Sequence, residues 1–329
     1  MVTINDIAKE AGVAKSTVSR YLNNGSVSAD TRRKIDKIIE KTGYTPNNFA
    51  RSLKAQKTNM IGVMIPRLNS ASTNEVLEGI DEMTRKLGYQ LIITNSDQNN
   101  EREFENIQTL AKQKVEGVIM FARELTPEHI DTVKKTGTPF LFIGQKAEGI
   151  HSIIHQDYQA GAKIGTYAIE LGHRHFLYVG VPEKDRAVGV ERRQGFLDAV
   201  RPVNGSTVEK IESDFSRTSA YQKALAFLPK TEATYIVCAT DNIAVAVLKA
   251  AKDLGYSIPE DFSLSGFGGY EATAYVSPTI TTVSYPYREM GLEAVKKLVR
   301  LIGKEEVPNI SEMGNELVIN QSTAYFDKI

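Results

Sequence analysis

The chain has 329 residues, 41% hydrophobic and 24% charged, with 40 Lys/Arg against 40 Asp/Glu and a single cysteine. That is the composition of a globular protein with room for two or three compact units. It excludes a disulfide framework, and no apolar stretch reaches the roughly 18–20 residues a membrane-spanning helix needs.

The even charge balance hides a split. Residues 1–57 hold 11 Lys/Arg against 5 Asp/Glu, a net of +6, and residues 58–329 hold 29 against 35. A small basic module on an acidic remainder is the electrostatic footprint of a nucleic-acid reader. The polar start MVTINDIAKE has no secretory h-region, so the expected location is the cytoplasm, on the nucleoid.

In chain order, Thr3 with Asp6 three positions on reads as a capping box, and Ile4, Ile7, Ala8 and Ala11 fall on one helical face. Gly12 turns the chain. Val18 and Leu22 give a second helix its apolar side, leaving Lys15, Ser16, Ser19 and Arg20 to face outward, and Asn23-Asn24-Gly25 stops it. Ser28 is set to cap a third helix with an inward stripe of Ile35, Ile38 and Ile39 and a stop at Gly43. Three short helices with so few core residues make a helix-turn-helix unit. The segment NNFARSLKAQKTN that follows has helix formers but no core of its own, so its helix depends on context.

From Met60 the pattern changes. Short apolar runs (IGVMIP, YQLIIT, GVIMFA, PFLFIG, SIIHQD, HFLYVG, TYIVCAT and FSLSGFG) alternate with helical stretches at 74–87, 101–114, 158–171, 190–201, 217–228 and 242–254. Such alternation predicts parallel sheets covered by helices on both faces. Its length predicts two lobes, with a ligand cleft built from loops at the C-terminal ends of the strands. Cys238, inside TYIVCAT, reads as a small buried apolar residue.

VTINDIAKEAGVAKSTVSRYLNN, VSADTRRKIDKIIEKTGYTPN and NFARSLKAQKTNMIGVMIP, with LGHRHFLYVG, ERRQGF and SPTITTV further on, resemble the lactose/galactose repressor (LacI/GalR) family of bacterial transcription regulators. The resemblance runs from residue 2 to about 325. It implies an N-terminal all-α helix-turn-helix domain over 1–46 and a hinge helix over 47–58. It further implies an α/β periplasmic-binding-protein-like core over 59–329, of two lobes with parallel sheets. Lobe 1 is expected at about 59–156 and 287–319, and lobe 2 at about 157–284 and 320–329.

On DNA, the resemblance implies that the second helix enters the major groove with Lys15 and Ser16 at the main specificity positions and Arg20 further along. Thr17, Ser19 and Asn23 look like phosphate contacts, and Tyr44 and Asn47 of the Tyr-x-Pro-Asn segment fall on the DNA side. Ala50 and Leu53 match the hinge wedge that opens a minor-groove step, with Arg51 beside it to neutralise phosphates. Where the family usually has a capping Ser, this chain has Ala14, a loss worth about 1 kcal/mol. The implied partners are double-stranded operator DNA with an inverted repeat, a second copy of the chain and a small sugar effector. No membrane partner, cofactor or metal is expected.

For the effector, the resemblance marks Arg192 of ERRQGF as the binding arginine, with Arg186, Phe215, Gln145 and Asp157 around it. Asp241 is expected both to cap its helix and to accept ligand hydroxyls. Where many sugar-responsive members carry a carboxylate, this chain has Gly268-Gly269, so Tyr270 and Glu271 are the substitutes and the pocket is expected to be roomy enough for a disaccharide such as sucrose or trehalose. The alternatives are a purine- or nucleoside-responsive or corepressor-dependent member of the same family, or a solute-binding protein. An enzyme is disfavoured, since the chain has no P-loop, HExxH or nucleophile elbow. The i, i+2 spacing of His173 and His175 fits no common zinc pattern.

Overall fold

A computed structural model describes residues 2–22, 25–44 and 58–326. The chain divides into two compact units, residues 1–58 and 59–329. In the first, α1 (Ile4–Ala11), α2 (Lys15–Leu22) and α3 (Ala29–Thr42) surround a core of Ile7, Ala8, Ala11, Val18, Ile35 and Ile38. Thr3 and Asp6 form the capping box at α1, and Ser28 Oγ accepts from Thr31 N at α3. Both α1 and α3 end on left-handed glycines, Gly12 and Gly43. The hinge segment, with Asn47, Ala50, Arg51 and Leu53, lies outside the described residues, as does Asn23.

The second unit holds two sheets with one strand order. The first runs β11–β5–β4–β3–β1–β2, built from β1 (Met60–Ile65), β2 (Gln90–Asn95), β3 (Gly117–Phe121), β4 (Phe140–Ile143), β5 (His151–His155) and β11 (Ile310–Met313). All its pairings are parallel. The second runs β12–β10–β9–β8–β6–β7, from β6 (His175–Gly180), β7 (Thr207–Glu212), β8 (Tyr235–Cys238), β9 (Ser263–Gly268), β10 (Thr281–Ser284) and β12 (Glu316–Val318). It is parallel except for β12, which pairs antiparallel with β10.

Successive side chains point to opposite faces, so the central strands, covered on both faces, are apolar almost throughout. In β1, Ile61, Val63 and Ile65 pack on one side of the sheet, and Met64 packs on the other with Val118, Met120, Phe140 and Phe142. The helices between strands are α4 (Ala71–Lys86), α5 (Asn100–Lys112), α6 (Pro127–Thr136), α7 (Asp157–Glu170), α8 (Arg193–Val200), α9 (Arg217–Phe227), α10 (Asp241–Asp253) and α11 (Tyr287–Ile302). A π-helical turn, Arg186–Arg192, leads into α8.

Three short segments cross between the lobes: His155–Asp157, Ser284–Tyr287 and Met313–Glu316. They are bonded to one another. Gln156 N donates to Met313 O (3.1 Å), Asn315 Nδ2 to Gln156 O (2.9 Å) and Tyr285 Oη to Asp157 Oδ1 (3.1 Å). The last crossing differs from the expected one at 319–320. Glu316–Val318 already pairs with β10, so lobe 1 ends several residues earlier. The alternation of polar and apolar residues there is too short to say which sheet it joins.

The same close helix contact appears in each lobe. A Cβ on Gly79 of α4 would lie 2.0 Å from the Arg288 carbonyl of α11, and one on Gly291 would lie 2.1 Å from Val76 O. In lobe 2, a Cβ on Gly161 of α7 would lie 1.9 Å from Arg192 O, and one on Gly195 of α8 would lie 1.9 Å from Tyr158 O. Backbone faces backbone at each point, so an added methyl can be accommodated only by moving a helix. Gly79→Ala should therefore cost about 1–3 kcal/mol, as overpacking does. The check is the urea midpoint of the full chain, and an unmoved midpoint would show that the helices part freely.

Candidate functional site

Two surfaces carry the polar residues marked in the sequence. On α2, Lys15, Ser16 and Arg20 are exposed, Thr17 and Ser19 are half-buried, and Val18 is buried in the three-helix core. Tyr21 Oη donates to Asp36, and the Arg32 guanidinium lies 5.4 Å over the Tyr21 ring, which pins α2 to α3. Ala14 offers no side-chain oxygen, so the first-turn amides of Thr17 and Val18 rely on its carbonyl (2.9 and 3.3 Å). Tyr44 packs against the three-helix core.

The second surface is a cavity where the C-terminal ends of both sheets meet. It measures about 170 Å³ and adjoins another of about 290 Å³, the two sharing Gln145, His155 and Asp157. Neither alone reaches the roughly 300–1,000 Å³ of small-molecule pockets, but the joined space does.

The floor is a buried ion pair. Arg192 donates to Asp157 Oδ1 from Nε (3.0 Å) and Nη2 (2.5 Å), and from Nη1 to Ala239 O (2.6 Å). Its guanidinium lies 4.9 Å from the Phe267 ring centre and 5.2 Å from that of Tyr285. Three of its five N–H groups are engaged by these bonds, which leaves one on each terminal nitrogen for a ligand. Asp157 does not cap α7, whose N-cap, Gln156, makes no side-chain cap bond.

Phe215 and Tyr270 also line the 170 Å³ cavity, Arg186 lines the 290 Å³ one, and Gln145 lines both. Burial pushes the His155 imidazole down to about 4, so it is neutral near pH 7, and its Nδ1 is buried without a partner.

Two expected contacts are not in the cavity. Asp241 is fully buried and turned into lobe 2. Its carboxylate accepts from Thr282 Oγ1 (2.7 Å) and Tyr270 N (2.8 Å), and a Cβ at Gly266 would sit 2.3 Å from it. Thr240 is the N-cap of α10, and it and Asn242, the residues on either side of Asp241, line the cavity. Glu271 is exposed on a short 3₁₀ turn and does not line the cavity. The roomy pocket expected at Gly268-Gly269 is also corrected. Gly268 sits at φ 140°, and a Cβ there would meet the Tyr270 ring at 2.7 Å, so that ring already occupies the space.

The sequence reading missed Arg67, Gln98, Arg123, His155, Asp185, Asn242 and Tyr287, all of which line the cavity. A signal existed for Arg67 and Arg123, each the second residue past the end of its strand, β1 and β3. Those two strands flank the point where the strand order reverses, the usual binding crevice of an open α/β sheet. Finding them required the strand order, which the apolar runs alone do not give.

A family model described as bacterial regulatory proteins, lacI family, matches residues 3–47, and a periplasmic binding protein-like domain matches 166–323. The chain is 39% identical over 308 residues to the sucrose operon repressor of Staphylococcus xylosus, covering 92% of this chain and 94% of that one. It is 30% identical to catabolite control protein A of Priestia megaterium, covering 98% and 99%. Among solved structures, the Lac repressor bound to ONPG in its repressed state is similar at TM-score 0.90 and 25% identity, covering 98% of this chain and 99% of that one.

Burial raises the Asp241 carboxyl from 3.8 to about 6. A raised carboxyl binds its proton more tightly in the folded state than in the unfolded one. Its contribution to stability is therefore fully present below about pH 4 and is lost as pH rises through about 6. Between pH 4 and 6, the stability of the native chain relative to Asp241→Asn should fall as pH rises. Thermal melts of both proteins across that range check this, and parallel curves would show that Asp241 titrates normally.

Proposed function

The chain belongs to the lacI family of bacterial regulatory proteins, and from that premise we propose how its two units divide the work of a DNA-binding repressor of a carbohydrate operon. The exposed face of α2 enters the major groove, where Lys15 donates to guanine acceptors, Ser16 and Arg20 complete the reading edge, and Thr17 and Ser19 hold phosphates. One copy makes few base contacts. Two copies on an inverted repeat double them, so the working species is a homodimer on a near-palindromic operator. The hinge residues Asn47, Ala50, Arg51 and Leu53, with Asn23 at the end of the reading helix, add backbone and minor-groove contacts.

The effector is a disaccharide, sucrose or a close relative, held between the lobes. The observation that carries this is the Asp157–Arg192 pair beneath the joined cavities. It is a rigid polar floor with unspent N–H donors, flanked by Phe215, Gln145 and Asn242. Planar polar groups against sugar hydroxyls, with an aromatic ring beside them, are what a saccharide requires. Control follows if the sugar binds the DNA-incompetent arrangement of the lobes more tightly than the competent one. The protein thus acts by binding alone, on the nucleoid of the cytoplasm.

Two measurements test this, both by anisotropy on a labelled inverted-repeat operator. Lys15→Ala should weaken specific binding by about 1–3 kcal/mol if it reads a base, and equal losses on specific and random DNA would make Lys15 a phosphate contact instead. Phe215→Ala should raise the sucrose concentration for half-release by about tenfold, close to 1.4 kcal/mol. If no mono- or disaccharide releases the native protein, the effector assignment is wrong.

A further inference from the structure

We infer that Gly25 is a positioning residue of the DNA reader: it leaves a bare stretch of backbone on which the Arg20 stem lies, and so aims the Arg20 guanidinium at a base pair. The inference rests on α2 as the helix that enters the major groove. It adds a residue with no side chain of its own to touch DNA.

At the end of α2, Gly25 N donates to Arg20 O (2.8 Å). A bond between residues five apart closes a helix when the chain folds back over its last turn, and the two residues it joins commonly pack on each other. Here the folded-back residue has no side chain, and the arginine stem takes the place. A Cβ on Gly25 would lie 2.5 Å from Arg20 Cγ and 2.9 Å from Arg20 O. The γ-carbon is near the root of the side chain, so moving the guanidinium alone cannot relieve that contact, and the whole stem must swing. Gly12 and Gly43 are the opposite case. They sit at φ 64° and 62° with nothing within 4 Å of an added Cβ, so the backbone requires them. Gly25 lies outside the left-handed region, and what requires its bare α-carbon is the Arg20 stem.

The root of the stem is fixed as well. Val18 is buried in the three-helix core, Tyr21 Oη donates to Asp36, and the Arg32 guanidinium covers the Tyr21 ring, so the turn that carries Arg20 is held against α3. Ala14 supplies no capping oxygen at the other end of α2, which leaves the orientation of the helix to these contacts. The far end of the side chain is open. Arg20 is exposed and, among the described residues, has no carboxylate partner, whereas Lys34 pairs with Asp30 and Lys41 with Glu10 (2.9 Å each). A flexible arginine gives up the freedom of several rotatable bonds to make a bidentate contact. A stem held at both Cα and Cγ has less to give up. Its fork also approaches from one direction, as bidentate reading of a base edge demands.

The test uses the full-length chain and the inverted-repeat duplex it selects from a random library. Anisotropy gives the affinity for that duplex, for its single-base variants and for random DNA. Gly25→Ala should weaken binding to the selected duplex by about tenfold, the loss of one good base contact. Affinity for random DNA should stay within about twofold, because no charge is removed. Discrimination should flatten at the base pair where Arg20→Ala flattens it. In the Arg20→Ala background, Gly25→Ala should change nothing, since no stem is left to displace. Equal losses in the two backgrounds would make Gly25 a support of the turn and overturn the inference, as would native discrimination in Gly25→Ala. If Gly25→Ala lowers the Tm, the base profile still decides, because a weakened domain loses affinity for every sequence alike and a misaimed arginine loses it at one base pair. Full discrimination in Arg20→Ala would end the inference and leave α2 as the reader. Failure of the native chain to select any duplex would end both.

Discussion

The buried Asp157–Arg192 pair is the interaction on which the rest of the core depends. Asp157 begins the helix after the first lobe crossing, Arg192 ends the π-helical turn of lobe 2, and Tyr285 of the second crossing donates to the same carboxylate oxygen. One ion pair thus joins two crossings, the first turn of α7 and the end of β8 through Ala239 O. Both partners are almost fully buried, and removing either would leave an uncompensated charge, the change that costs most in a protein interior. The aromatic rings of Phe267 and Tyr285 beside the guanidinium hold its plane, so its remaining donors point in a fixed direction.

Away from this pair, the lobes are linked across the cavity by weaker contacts. Lys146 and Glu191 approach at 3.7 Å with both side chains partly exposed, and Arg67 rests on Phe215. Exposed pairs of this kind are worth little each. The crossings are therefore fixed and the cleft mouth is cheap to rearrange, which lets a ligand of modest size bias one lobe arrangement over another. The glycine contacts between α4 and α11 and between α7 and α8 keep each lobe stiff, so motion is confined to the region between them.

Much of this was legible in the residues. The capping signals at Thr3 and Ser28 formed the caps they predict, because a cap is a local contest between a side chain and three or four amides. The eight apolar runs became strands, most of them buried on both faces, where apolar residues are favoured at nearly every position. The strands over 207–212, 281–284, 310–313 and 316–318 were missed: they are sheet-edge or near-edge segments, partly polar and without a continuous apolar run to mark them.

The site divides along the same line. By itself the sequence determined the second helix with Lys15, Ser16 and Arg20 outward, the alternating core and the motif around Arg192. Each of these follows from spacing within a few turns of one segment or from a local motif. Only the tertiary structure decided which polar residues share a cavity. It turned Asp241 inward to hold Tyr270 and Thr282, left Glu271 in solvent and filled the space over Gly268 with the Tyr270 ring. It also brought Arg67 and Arg123 together from strands more than fifty residues apart. Strand order fixes those neighbours, and strand order is a property of long-range pairing that no local pattern encodes.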